Sequence, residues 1–142
     1  MDAAEVSRDY FAAYNARDTA RLRRLLADAF RQVRAGGTLV IEGPDDYVAF
    51  LEQEWRQRPD ATIEIRRVVT TDSGALVEAV WKTTSSVPIT LPNGHTLEPT
   101  GQHAAMPFVA VFDVEDGIIT NDAMYYDTLY LWRSLGHTVS VA

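Results

Sequence analysis

The chain has 142 residues, with 13 basic against 20 acidic side chains for a net charge of −7, and no cysteine. Its length predicts one domain over 1–142, long enough to enclose a core. The acidic balance offers no basic stripe to nucleic acid or to anionic membranes, and the lack of cysteine removes disulfides, thiol nucleophiles and cysteine metal sites.

The opening "MDAAEVSRDY" lacks the apolar run of a signal peptide, and no stretch reaches the ~18 apolar residues of a membrane span. A cysteine-free chain suits a reducing cytoplasm, which is the expected location. Residues 4–16 predict a first helix, with Val6, Tyr10, Ala13 and Tyr14 on one face. Asp18 predicts the cap of a second helix carrying Leu22, Leu25, Leu26, Ala29 and Phe30, ended by Gly36 and Gly37. Residues 38–41 allow a short strand at most. Pro44 then suits the first turn of a third helix, striped by Tyr47, Phe50, Leu51 and Trp55 and stopped by Pro59.

Beyond Pro59 the apolar period changes from 3.6 to 2. "ATIEIRRVV" places Ile63, Ile65, Arg67 and Val69 on one strand face. A second strand is expected over 75–84, a hairpin at Asn93-Gly94, and a third long strand over 102–113. Pro107 within that third strand predicts a bulge or an edge position. Residues 118–126 read as the last strand, and Asp127 as the cap of a terminal helix ending near Gly136. Helices grouped against long antiparallel strands predict an α+β fold. Long twisted strands are expected to curl into a cone under three N-terminal helices and a short C-terminal one, leaving a small apolar pocket.

Two segments carry a family resemblance. "DYFAAYNARD" followed by "LLADAF" resembles the opening of the NTF2-like superfamily, which includes ketosteroid isomerase, limonene-1,2-epoxide hydrolase and SnoaL-like polyketide cyclases. The ending "LPNGHTLEPTGQHAAMPFVAVFDVEDGIITNDAMYYDTLYLWRSLG" is similar to that superfamily's C-terminal half. The resemblance implies the cone-shaped fold and, in many members, a homodimer. Against ketosteroid isomerase, Tyr10 matches the pocket tyrosine. The protonated aspartate falls at Phe108, and the base has no counterpart in "RQVRAGGTLV". Against the epoxide hydrolases, the charged positions fall at Ala79, Trp81 and Met124, none of which can activate water or protonate an epoxide. SnoaL-like cyclases use a pocket carboxylate beside a histidine, for which this chain offers Asp122 and His103.

Asp122, His103 and Tyr10 are therefore the candidate catalytic groups. Tyr14, Trp55, Trp81, Met106, Phe108 and Met124 are candidates to line a hydrophobic ligand site. Each has a plainer role: the aromatic and methionine side chains as core, Asp122 as a solvated carboxylate at the sheet rim, His103 as a surface residue. His95 and His137 read as exposed, and three scattered histidines form no metal motif. Arg17, Arg21, Arg23, Arg24, Arg31 and Arg34 read as a charged solvent face. No glycine-rich phosphate loop and no G-x-S-x-G elbow is present. Three functions follow as expectations. The first is a cofactor-free isomerase or cyclase moving protons on a small hydrophobic or polycyclic carbonyl compound. The second is a pocket protein that binds such a compound without turnover. The third is a structural homodimer or partner-binding domain.

Overall fold

A computed structural model describes residues 1–138 of the chain; residues 139–142, the end of the expected domain, lie outside the described residues. The first helix, α1, spans Ala3–Ala16. Asp2 accepts from the Glu5 N–H at 2.8 Å while Glu5 accepts from the Asp2 N–H, a reciprocal cap that satisfies two N-terminal donors. Arg17 ends the helix in the left-handed conformation. Its buried face holds the four predicted residues and also Phe11.

Asp18 caps α2 (Thr19–Leu25) as expected, but that helix stops seven residues in. Leu26–Arg34 is a strand, β1. The spacing of Leu26 and Phe30 fits a helix and a strand equally well, and tertiary pairing decides it. Phe30, Gln32 and Arg34 point inward at every second position. A turn containing Gly36 and Gly37, both at positive φ, leads into β2 (Leu39–Glu42). Helix α3 (Pro44–Gln57) starts with Pro44 in its first turn. The strands β3 (Thr62–Thr70) and β4 (Gly74–Thr84) follow, then the small hairpin of β5 (Ile89–Thr90) and β6 (Thr96–Leu97). The chain continues through β7 (His103–Glu115), β8 (Ile118–Tyr126) and α4 (Thr128–Ser134), the last capped by Asp127.

The main sheet runs β2-β1-β8-β7-β4-β3. All its neighbours are antiparallel except β1 and β8, which pair in parallel. The expected curled antiparallel cone is thus overturned: the sheet is mixed and open, with β2 and β3 as edges, and does not close on itself. The parallel pair comes from the segment that the apolar spacing assigned to a helix. The edge at β3 is protected locally instead. The Asn15 side chain donates to the Ile63 carbonyl at 2.9 Å and accepts from its N–H at 2.8 Å, taking the place of a neighbouring strand.

Two strand details differ from expectation. The β3–β4 register shifts between Ile65 and Arg67, so Val68 turns inward while Arg67 and Val69 face solvent. Pro107 marks neither a bulge nor an edge. Strand β7 is internal, and its register with β4 is unbroken from Gly74↔Asp113 to Thr84↔His103. Pairing with β8 stops at Phe108↔Tyr126, so an N–H at Pro107 directed to that side would meet no strand.

One core joins the buried faces of α1, α2 and α3 to the inner sheet face, with Leu131 of α4 packed against it. The Phe11 ring meets Phe108 and Phe112 there, with centroids 6.1 and 5.7 Å away. No helix among the described residues is long and apolar enough to cross a membrane.

Candidate functional site

The inner sheet face and helices α1, α3 and α4 leave a cavity of about 240 Å³ between them. Strand parity explains the wall on the sheet side. Met106 and Phe108 share the inward parity of β7, Trp81 comes from β4, and Met124 and Tyr126 come from β8. Helix α1 adds Tyr10, Phe11 and Tyr14 along one stripe, and α3 adds Tyr47, Phe50 and Glu54 at helical spacing. Thr128, Leu131 and Trp132 of α4 complete it. The lining is mostly aromatic, a shape suited to a flat apolar ligand.

A continuous polar chain runs through these walls. The Trp81 indole N–H donates to the Tyr14 hydroxyl at 3.0 Å, and Tyr14 donates to Glu54 Oε2 at 2.6 Å. Arg34 donates to Glu54 Oε1 at 3.5 Å and to Gln32 Oε1 at 2.7 Å. Gln32 in turn donates to Asp122 Oδ2 at 2.7 Å. The parallel pairing of β1 with β8 sets the last contacts, because it places Gln32 opposite Asp122 and Arg34 opposite Met124. The Arg34 guanidinium also lies 4.5 Å from the Phe50 ring centroid.

Asp122 is 1 % exposed, and its Oδ1 has no partner among the described residues. Burial pushes its carboxyl up to about 7, against the opposing pull of Gln32, Arg34 and the Tyr10 hydroxyl. Tyr10 and Tyr47 share a short hydrogen bond between their hydroxyls, with their rings stacked. Burial, then Tyr47 and Asp122, hold the Tyr10 phenol well above its ordinary range. Burial does the same to Tyr47 despite the lowering influence of Arg34, and to Tyr14 with Glu54 adding to the effect. Three neutral phenols therefore present O–H donors at neutral pH. Burial alone would lower the Arg34 guanidinium, but Glu54 and then the tyrosines outweigh it, so its proton is held more tightly than usual. Both oxygens of Glu54 accept hydrogen bonds, Oε2 from Tyr14 and Oε1 from Arg34.

Of the residues singled out from sequence, Tyr10, Tyr14, Trp81, Met106, Phe108 and Met124 all border the cavity. Asp122 sits one layer behind, between Gln32 and Tyr10, rather than in water at the rim. Trp55 lies outside the cavity, edge-on to Tyr14 with its centroid 5.4 Å away and the Arg17 guanidinium 4.9 Å from its ring. His103 is exposed at the start of β7, on the face opposite Met106 and Phe108, with Nδ1 2.5 Å from the Thr84 hydroxyl. With no bulge at Pro107, nothing rotates His103 inward. His137, expected in solvent, is half-buried against Trp132.

Sequence reasoning missed Gln32, Arg34, Tyr126 and Glu54, and read Tyr47 only as packing. Arg34 belongs to no solvent face; it is 8 % exposed. The available signals were the alternation Phe30-Gln32-Arg34 and a carboxylate, Glu54, seven residues beyond Tyr47 on an apolar helix stripe.

The sequence model of the SnoaL-like domain family matches residues 7–121. No curated protein has a sequence that matches the chain. Solved structures do resemble it in fold. IdmH from Streptomyces antibioticus, described as a proposed polyketide cyclase, is 21 % identical and superposes with a TM-score of 0.83 over 96 % of this chain and 99 % of its own. A proposed SnoaL-like polyketide cyclase from Jannaschia sp. CCS1 is 19 % identical, with a TM-score of 0.80 over 96 % and 92 %. A protein of ketosteroid-isomerase-like fold from Catenulispora acidiphila, solved with trimethylamine, is 17 % identical, with a TM-score of 0.77 over 94 % of each chain. With most of its length matched by the family model, the chain belongs to the SnoaL-like family of the NTF2-like superfamily.

Proposed function

We propose that the protein is a cyclase- or isomerase-type enzyme that moves protons on a small hydrophobic, aromatic carbonyl compound. The observation that carries this reading is a pair of neutral phenols, Tyr10 and Tyr47, on the wall of an aromatic cavity and backed by the buried carboxyl of Asp122. A ligand carbonyl in the cavity accepts a hydrogen bond from this pair. The negative charge that gathers on its oxygen as the neighbouring carbon loses a proton is then stabilised away from bulk water. Asp122, poised near neutrality, returns a proton to the Tyr10 hydroxyl when that hydroxyl gives one to the ligand oxygen. Glu54 is the carboxylate that borders the cavity itself, and it is the acceptor for the carbon-bound proton. The step balances: one proton moves from carbon to Glu54 and one from Asp122 through Tyr10 to oxygen, giving the enol, and reversal at another carbon gives an isomer. His103 has no part in this scheme. An outward-facing homodimer contact through the sheet face that carries Tyr125, 55 % exposed, accompanies the proposal and is open to sedimentation.

The test is solvent deuterium exchange at the α-carbon of a bicyclic aromatic ketone such as 2-tetralone, followed by NMR. Exchange well above the buffer rate, lost in Glu54→Gln, supports the reading. Binding without any acceleration would favour a second reading, a carrier or sensor of the same ligands. That reading draws on one observation: Glu54 is already engaged by Arg34 and Tyr14.

A further inference from the structure

A second, shallower hollow of about 500 Å³ adjoins the aromatic cavity. The two share Glu54, Trp81, Leu131 and Trp132 as walls. The end of α3 and the β5–β6 hairpin form the other sides, with Ile89, Leu91 and Pro92 giving an apolar flank. Arg58, the residue just past α3, lines this hollow and is only 5 % exposed.

The Arg58 guanidinium makes no hydrogen bond and no ion pair among the described residues, and its Nη1 is fully enclosed without a partner. The charged groups around it are already committed or of the wrong sign. Glu54 accepts from Tyr14 and Arg34. Asp60 Oδ1 accepts from the Thr83 hydroxyl and the Thr84 N–H at 2.9 and 3.0 Å. His137, on the far side, has its protonated form disfavoured by burial and then by Arg58. The Trp132 ring lies 6.0 Å from the guanidinium and covers it without neutralising it. Glu54 and Asp60 are near enough to attract the guanidinium, but neither bonds it directly and burial outweighs them, so its charge is left under-compensated in a group that does not readily lose its proton. Its fork geometry matches a planar carboxylate bidentately. A phosphate dianion would call for a second cation, which this hollow lacks among its described walls.

We propose that the ligand of the aromatic cavity bears a carboxylate that pairs with Arg58 in the adjoining hollow, so that the substrate class is an aromatic keto acid rather than a neutral ketone. The inference rests on the cavity being a ligand site, as above. Arg58 then fixes which end of the ligand points at Tyr10 and Tyr47. The shared wall at Trp132 is where the two ends of the ligand are joined.

Quenching of tryptophan fluorescence by 2-naphthoate, its methyl ester and 2-naphthol tests this, with the whole chain at pH 7.5. The wild type is expected to bind the acid at least about tenfold more tightly than the ester, the equivalent of about 1.4 kcal/mol. Arg58→Gln is expected to erase that preference while leaving ester affinity within about twofold, and Arg58→Lys to restore part of it. Equal binding of acid and ester by the wild type overturns the Arg58 assignment and leaves the cavity reading standing. So does an acid preference that survives in Arg58→Gln. If none of the three compounds binds, the cavity reading fails and this inference fails with it. The wild-type comparison of acid with ester needs no variant, so a misfolded Arg58→Gln would not rescue the proposal.

Discussion

Replacing Asp122 with asparagine should change how stability depends on pH, and the structure sets the sign and the size. Burial raises the Asp122 carboxyl from 3.8 to about 7. A group raised in the folded state holds its proton there while the unfolded chain has already lost it. Between pH 4 and 7 the native protein therefore binds more protons than the unfolded chain, and stability falls as pH rises. The stabilisation tied to neutral Asp122 is complete below about pH 4 and gone above about pH 7. At about 1.4 kcal/mol per pH unit, that interval amounts to about 4 kcal/mol. Set against a typical domain stability of about 5–15 kcal/mol, this is a large effect. Asparagine keeps an oxygen to accept from Gln32 and places an amide where Oδ1 now has no partner. That exchange adds an offset of about 1–3 kcal/mol, and the offset does not vary with pH. Urea unfolding of wild type and Asp122→Asn, followed by circular dichroism from pH 4 to 8.5, isolates the titrating part. The wild-type advantage should decline by about 4 kcal/mol across the range, levelling near pH 7. A difference that stays constant to within about 0.5 kcal/mol would show that Asp122 titrates alike in both states, and would refute the argument from burial.

Three further outcomes follow from the same contacts. Tyr10→Phe removes a hydroxyl at the cavity wall and should slow α-proton exchange by about 100-fold or more while leaving ligand affinity within a few fold; an unchanged rate removes Tyr10 from the chemistry. Arg34→Met and Glu54→Gln should each cost about 3 kcal/mol, because each strands its partner in the interior, whereas the double variant should cost well under their sum; full additivity in a denaturation cycle would show the pair to be uncoupled. Gly74→Ala should destabilise by roughly 2–3 kcal/mol, since its Cβ would sit 1.9 Å from the Phe112 carbonyl oxygen, and an unshifted melting temperature would contradict that packing.

What local sequence could and could not convey is visible in single residues. The strands β4, β7 and β8 were legible because each is a long extended run rich in apolar residues between clear turns, and the parity of 118–126 put Asp122 on the same face as Met124. The capping residues Asp18 and Asp127 were legible because a helix start needs only local chemistry. Strand β1 was not, because its inward residues Gln32 and Arg34 are polar and its two clearest apolar residues stand four apart. With β1 misassigned, its parallel partnership with β8 was out of view, and so was the Gln32–Asp122 contact. The burial of Arg34 depends on Glu54 and Phe50 from a different helix, and no local window contains both sides of that arrangement.

The parallel junction of β1 with β8 also bears on how the chain acquires its pocket. Gln32 and Asp122 are ninety positions apart, and the two strands that carry them stand side by side in the finished sheet. Closing so long a loop is entropically slow, and parallel pairing rewards it only once neighbouring strands are in place. The hairpin-linked pairs β3–β4 and β7–β8 have no such delay. The polar chain from Trp81 to Asp122 is consequently among the last things to form in refolding. Recovery of ligand binding would then lag behind recovery of β-sheet signal, and the pocket would act as a sensor of complete folding.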